Sequence, residues 1–283
     1  FCLVLFFTFI NVKGDHLHGG EITWECIKSG TDAGKYIFNV KIYRDCNGIS
    51  FSTSSLKVHN NPSLSSIPLN LISINDISPL CNTVNGVNQP FSCGVTNVSY
   101  TGNGVGAVEE HVYQSAPIAL LGHPDINGWH FTWDSCCRNN TVSNLIITLQ
   151  GGGPNPSSSQ GFTLRSVMYS YTDSLGQILP NSDQCHDSSP KFYEKPRTVL
   201  EVGNGYNPFA FSNGFTYSHN AFDEEQDSLN YEWAPPLDWL VYDYLNPSSN
   251  ALPYNTTVYP YSFTNPINGI ILNNKICPLF FKF

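Results

Sequence analysis

The sequence predicts an all-β protein built of β-sandwiches, on three observations. Apolar and polar residues alternate with a period of two over several short stretches, the pattern of half-buried strands. No stretch sustains a helical period over three turns. The composition supplies strand formers and turn formers together, with 15 Tyr and 18 Phe for pleated surfaces and 22 Gly and 19 Pro for the turns.

The elements follow in chain order. In residues 35–44, Tyr36, Phe38, Val40 and Ile42 share one face. In residues 128–134, Trp129, Phe131 and Trp133 face one way, which makes them core rather than a sugar-stacking platform, while His130, Thr132 and Asp134 form a polar face. Residues 144–149 and 162–171 read as further strands, and 228–233 repeats the scheme with Leu229, Tyr231 and Trp233 inward. Turn signals recur every dozen or so residues, which suits sandwiches. The run Gly151-Gly152-Gly153-Pro154-Asn155-Pro156, followed by three serines, reads as a linker or a long hairpin loop. The strand after it, and the polar stretch through Asp187, favour a loop with a domain boundary near Ser188. The expected organisation is a signal peptide at 1–14 lacking its start, a disulfide-bearing sandwich at 15–187, and a second, incomplete sandwich at 188–283.

Charge narrows the function classes. Only 12% of residues are charged, against about 25% in ordinary domains, and the formal net charge is −9. A nucleic-acid surface needs clustered Lys and Arg, so that class is set aside. Phe1 to Val12 carry no charge and are nearly all apolar. Twelve residues are too few for a membrane-spanning helix of ~20, but they fit a signal-peptide core with cleavage after Gly14.

The cysteines agree with export. Removal of Cys2 with the leader leaves eight: Cys26, Cys46, Cys81, Cys93, Cys136, Cys137, Cys185 and Cys277. No pair has the CxxC spacing of a zinc or thioredoxin-like site, so the even count reads as disulfides. Adjacent Cys136 and Cys137 point to opposite faces of a strand and pair elsewhere, a direct bridge between them being strained. Cys81 and Cys93 flank a short Asn/Gly-rich loop and are the first expectation for a local pair. Residues 273–283 lose the strand-and-turn pattern, which sets Cys277 apart from the other candidates.

Several blocks then take on a specific look. His18-Gly19-Gly20-Glu21-Ile22-Thr23 and Val40-Lys41-Ile42-Tyr43-Arg44-Asp45-Cys46 resemble the opening of large secreted surface proteins of Bacteroidetes-type bacteria, associated with gliding motility and adhesion. Val108-Glu109-Glu110-His111-Val112-Tyr113 and Trp133-Asp134-Ser135-Cys136-Cys137-Arg138-Asn139 resemble that family's central signature. Asp187-Ser188-Ser189-Pro190-Lys191-Phe192, with Ala221-Phe222-Asp223 and Ser228-Leu229-Asn230-Tyr231, resembles the family's cadherin- or immunoglobulin-like repeat. The resemblance covers about 16–236. It implies a non-catalytic surface module that meets a polysaccharide or protein ligand and is attached through a C-terminal region not seen here. The family's acidic turn here reads Asp223-Glu224-Glu225-Gln226-Asp227, without its usual glycine.

That turn is the leading site candidate. Asp223, Glu225 and Asp227 stand at alternate positions, and calcium is held by several such oxygens. The competing reading is a solvated acidic turn, favoured because calcium takes about six ligands and three are visible. His123 and His130 fit no metal-ligand spacing and read as surface histidines. Glu109 and Glu110 are adjacent in a strand, so they face opposite ways and cannot flank one bond. Gly102-Asn103-Gly104-Val105-Gly106 lacks a strand–loop–helix context and reads as a hairpin loop. Sequons at Asn97, Asn139 and Asn255 mark exposed loops only in a eukaryotic secretory setting. The rival expectation to a surface module is a carbohydrate-binding accessory region of an extracellular polysaccharide-degrading enzyme, which requires an exposed aromatic row.

Overall fold

The computed structural model describes residues 17–46, 52–78, 82–84, 87–89, 93, 107–135, 138, 144–146, 161–172, 175, 177–178, 185–193, 220–239, 242–254, 256 and 262. The leader at 1–14, the glycine run from 151, Gly102 to Gly106, the three sequons, and Cys81, Cys136, Cys137 and Cys277 lie outside the described residues.

The described chain is antiparallel β-structure. The strands are β1 (Leu17–Cys26), β2 (Tyr36–Asp45), β3 (Ser55–His59), β4 (Ser66–Pro68), β5 (Asn70–Asp76), β6 (Asn82–Val84), β7 (Val87–Gln89), β8 (Val108–Gln114), β9 (Trp129–Ser135), β10 (Phe162–Met168), β11 (Lys191–Phe192) and β12 (Ala221–Phe222). One 3-10 turn at Pro247–Asn250 is the helical element among the described residues. Two four-stranded sheets carry the fold, with orders β1-β2-β8-β5 and β10-β9-β3-β4. Two-stranded ribbons, β6-β7 and β11-β12, accompany them.

Alternation explains which faces meet. Phe38, Val40 and Ile42 of β2 are fully buried, and Phe131 of β9 is fully buried opposite them. The ring of Phe38 lies 4.6 Å from that of Phe131, and Trp24 of β1 reaches Phe131 at 6.0 Å, all tilted. Such tilted pairs add roughly 0.5–1.5 kcal/mol each beyond their burial. One core cluster takes residues from both sheets, the arrangement of a sandwich.

The two sheets approach most closely where β1 meets β10. A Cβ on Gly20 would stand 2.5 Å from the Lys41 carbonyl oxygen and 2.6 Å from Leu164 Cδ1. Only glycine fits that gap without moving backbone.

Among the described residues, two disulfides tie the ends of strands to distant parts of the chain. Cys26 at the end of β1 bonds Cys185, and Cys46 just after β2 bonds Cys93. The second corrects the expected Cys81–Cys93 pair. Spacing around a loop marks proximity in sequence, whereas Cys93 is held beside the end of β5, its N–H donating to Asp76 Oδ2 at 2.9 Å. The first bond closes a chain separation of 159 residues. Crosslinks of such reach constrain the unfolded chain most, with typical effects of about 2–4 kcal/mol.

The chain beyond Cys185 packs onto the first sheet at one end and the second at the other. Ser188 and Ser189, at the expected domain boundary, are buried. Trp24 N–H donates to Ser189 Oγ at 2.8 Å, and Cys26 N–H donates to Ser188 Oγ at 3.1 Å. Further along, Ile146 N–H donates to Pro253 O at 2.9 Å and Thr163 Oγ1 donates to Asp238 O at 2.5 Å. Residues 228–233, expected as a strand, alternate in exposure but form no ladder among the described residues. Alternation reports a half-buried extended segment, and a strand also needs a partner.

Candidate functional site

The acidic turn sits against β1. Asp223 is buried, and its Oδ1 accepts the backbone N–H groups of Glu225 and Asp227 at 3.0 Å each. That side-chain-to-backbone closure is what an Asx turn does in place of a glycine-sharpened one. Gln226 nevertheless takes φ of 64°, the left-handed conformation that glycine adopts at no cost.

The three carboxylates singled out by spacing do not converge as a set. Asp223 and Asp227 come together, and the third member is Asp187, with one ligand atom of each within 4.8 Å of the others. Glu225 turns away to Lys28, whose Nζ is 2.5 Å from its Oε1. Ser188 adds two bonds to Glu225, from its N–H at 3.3 Å and its Oγ at 3.2 Å. Burial pushes the Glu225 carboxyl up, but Lys28 and Ser188 outweigh it and hold the group below the ordinary value.

Asp187 carries the opposite perturbation. Burial first, then the neighbouring Glu225, Asp223 and Asp227, push its carboxyl up to about 7. Calcium takes six to eight oxygens, so Asp187, Asp223 and Asp227 could supply part of such a shell. Asp187 stands 36 positions before Asp223, and no local spacing could have found it. Its Asp-Ser-Ser context in the resembling block was the one available signal.

A second cluster lies on the outer face of β9. His130, expected at the surface, is buried. Its Nδ1 is 2.5 Å from Tyr242 Oη and its Nε2 is 2.8 Å from the Asn127 carbonyl oxygen. His59 of β3 lies opposite His130 in the ladder and bonds Thr132 Oγ1 at 2.8 Å, with its ring 4.9 Å from that of Tyr242. The polar face exists, but the segment carrying Tyr242 and Tyr244 covers it. Burial lowers both histidines below the ordinary imidazole value, with His130 adding to the effect on His59 and Arg165 to that on His130. His123 Nδ1 lies 3.1 Å from the neighbouring Pro124 carbonyl oxygen. Among the described residues, no histidine belongs to a cluster of metal-ligating atoms.

The third cluster is inside the sandwich. Glu109 of β8 faces Arg44 across the ladder and bonds its Nε, and His111 Nε2 is 2.6 Å from the same carboxylate oxygen. Glu110 occupies the opposite face, as adjacent strand residues must. A partly buried carboxylate shared by a buried guanidinium and a buried imidazole is a structural pin, because removing one partner strands the other.

No family model, no curated protein and no solved structure matches this chain.

Proposed function

We propose that this chain is a secreted or cell-surface module of a larger bacterial protein, adhesive or structural rather than catalytic. In this reading, the segment from Ser188 begins a second sandwich of immunoglobulin or cadherin type, clasped to the first. Loops held by the braced sheets would meet a surface polysaccharide or a protein partner, since binding residues concentrate on loops positioned by a rigid scaffold. The observation that carries the reading is the disulfide pair Cys26–Cys185 and Cys46–Cys93, which belongs to oxidising compartments. No described helix is long and apolar enough to cross a membrane.

The test is export with function. Expressed behind a complete bacterial signal peptide, the chain should accumulate folded outside the cytoplasm, and beads coated with it should retain cells or extracellular polysaccharide. Cytoplasmic retention, or retention by the beads no better than after reduction and alkylation, would reject the proposal.

One observation favours the carbohydrate-binding alternative. Tyr193 and Phe222 are exposed next to each other at the β11-β12 ribbon, with ring centroids 6.0 Å apart. Exposed aromatic faces suit sugar stacking, and a glycan array on which Tyr193→Ala and wild type give equal signals would remove this reading.

A further inference from the structure

A cavity of about 480 Å³ opens where β1 and β10 are capped by the segment at 233–237. Its walls are mostly apolar and include Trp24, Leu145, Phe162, Leu237 and Tyr254. Arg138 also lines it, and is 3% exposed. The guanidinium lies 4.9 Å from the Phe162 ring centroid and spends two donors on backbone, Nε on Gly161 O at 3.1 Å and Nη2 on Leu237 O at 3.2 Å. A guanidinium has five N–H donors, so three remain without an acceptor among the described residues. No carboxylate pairs with Arg138 among those residues either. Asp238, the nearest acidic influence, has its Oδ1 occupied by the N–H groups of Gly161 and Trp239. Glu21, also on the wall, is neutralised by Lys41 at 2.8 Å.

A second donor on the same wall is also unspent. Trp24 is 6% exposed, and its Nε1–H has no partner among the described residues. Buried polar groups are nearly always satisfied, and a buried charge more so. Two orphaned donors, one of them cationic, in one apolar cavity call for an occupant with an anionic acceptor and an apolar body.

We propose that this cavity binds a small organic carboxylate with an aromatic or branched apolar body, its carboxylate paired with Arg138. Burial lowers the guanidinium only to about 10, so it remains a cation at neutral pH. Planar guanidinium and carboxylate match in a bidentate pair, and the alcohol of the same shape cannot form it. The site goes beyond the surface-module reading and does not depend on it.

The probe is 3-phenylpropionate, with 3-phenylpropanol as its uncharged counterpart, each titrated calorimetrically into the full chain. The acid should bind saturably with one-to-one stoichiometry and the alcohol at least tenfold more weakly. Arg138→Met should abolish acid binding. Because that change also removes the bonds to Gly161 and Leu237, Ala234→Trp serves as a second variant. Ala234 lines the cavity but is exposed, so its indole should obstruct the cavity and weaken the acid at least tenfold with the melting temperature unchanged. Absence of saturable acid binding, equal binding of acid and alcohol, or undiminished affinity in a folded variant would overturn the proposal.

Discussion

The acidic corner at Asp187 and the histidine corner at His130 fasten the same downstream chain to the sandwich by opposite electrostatic means. At the first, carboxylates crowd one another, and two lysines and two serines hold the surrounding turn to β1. At the second, two imidazoles with lowered proton affinity are roofed by Tyr242. The first corner is relieved by a proton and the second is disturbed by one. A downstream segment held in these two ways has no single pH at which both corners are at their best.

The largest expected effect tests whether the downstream chain leading to the histidine corner is a packed strap. A Cβ on Gly161 would stand 2.1 Å from the Trp239 ring, beside the bond from Gly161 N–H to Asp238. Gly161→Ala should cost roughly 3 kcal/mol by overpacking, read from urea unfolding. A loss under about 0.5 kcal/mol would mean the 237–239 stretch is not seated there.

The next effect is the pH contrast itself. Asp187 is raised from 3.8 to about 7, so the folded state holds a proton there that the unfolded state releases. Its contribution to stability is complete below about 4 and declines as pH rises to about 7. Asp187→Asn should therefore stabilise the protein at pH 8, on the order of 2 kcal/mol once solvent contact is discounted, with little effect at pH 4. His59 and His130 are lowered, so their contribution is complete above about 6.5 and is lost as pH falls below that. Hydrogen exchange by segment should show the strands β3 and β9 loosening between pH 6.5 and 5, while the backbone around 187–189 tightens. The same sign at both corners would break the comparison.

Smaller effects sharpen the acidic corner alone. Gln226→Gly should raise stability by up to ~1 kcal/mol, because Gln226 occupies the left-handed region with φ of 64°. Millimolar calcium should raise the melting temperature by a degree or two at pH 7.5, and Asp223→Asn should remove that gain. A melting curve indifferent to both calcium and chelator would leave the turn as a hydrogen-bonded Asx turn.

Periodicity exposed the parts of this fold that depend on one strand at a time. The inward residues of β2 and β9, from Tyr36 to Ile42 and from Trp129 to Trp133, are where alternation puts them. Local pattern could not show what lies over a strand's other face. His130 is covered by Tyr242, 112 positions away, so a polar face read as solvated is buried. The same limit hid Asp187 behind a turn 36 residues later, and it led from the Cys81–Cys93 spacing to the wrong partner for Cys93. In residues 228–233 the alternation was real, but ladder partners are a tertiary property and none is present among the described residues.

We propose that the two disulfides among the described residues form outside a reducing compartment. Peptide mapping by mass spectrometry of the unreduced exported chain tests this most directly. It should recover crosslinked peptides joining Cys26 to Cys185 and Cys46 to Cys93. Free thiols at these four positions, or a Cys81–Cys93 crosslink in their place, would contradict it.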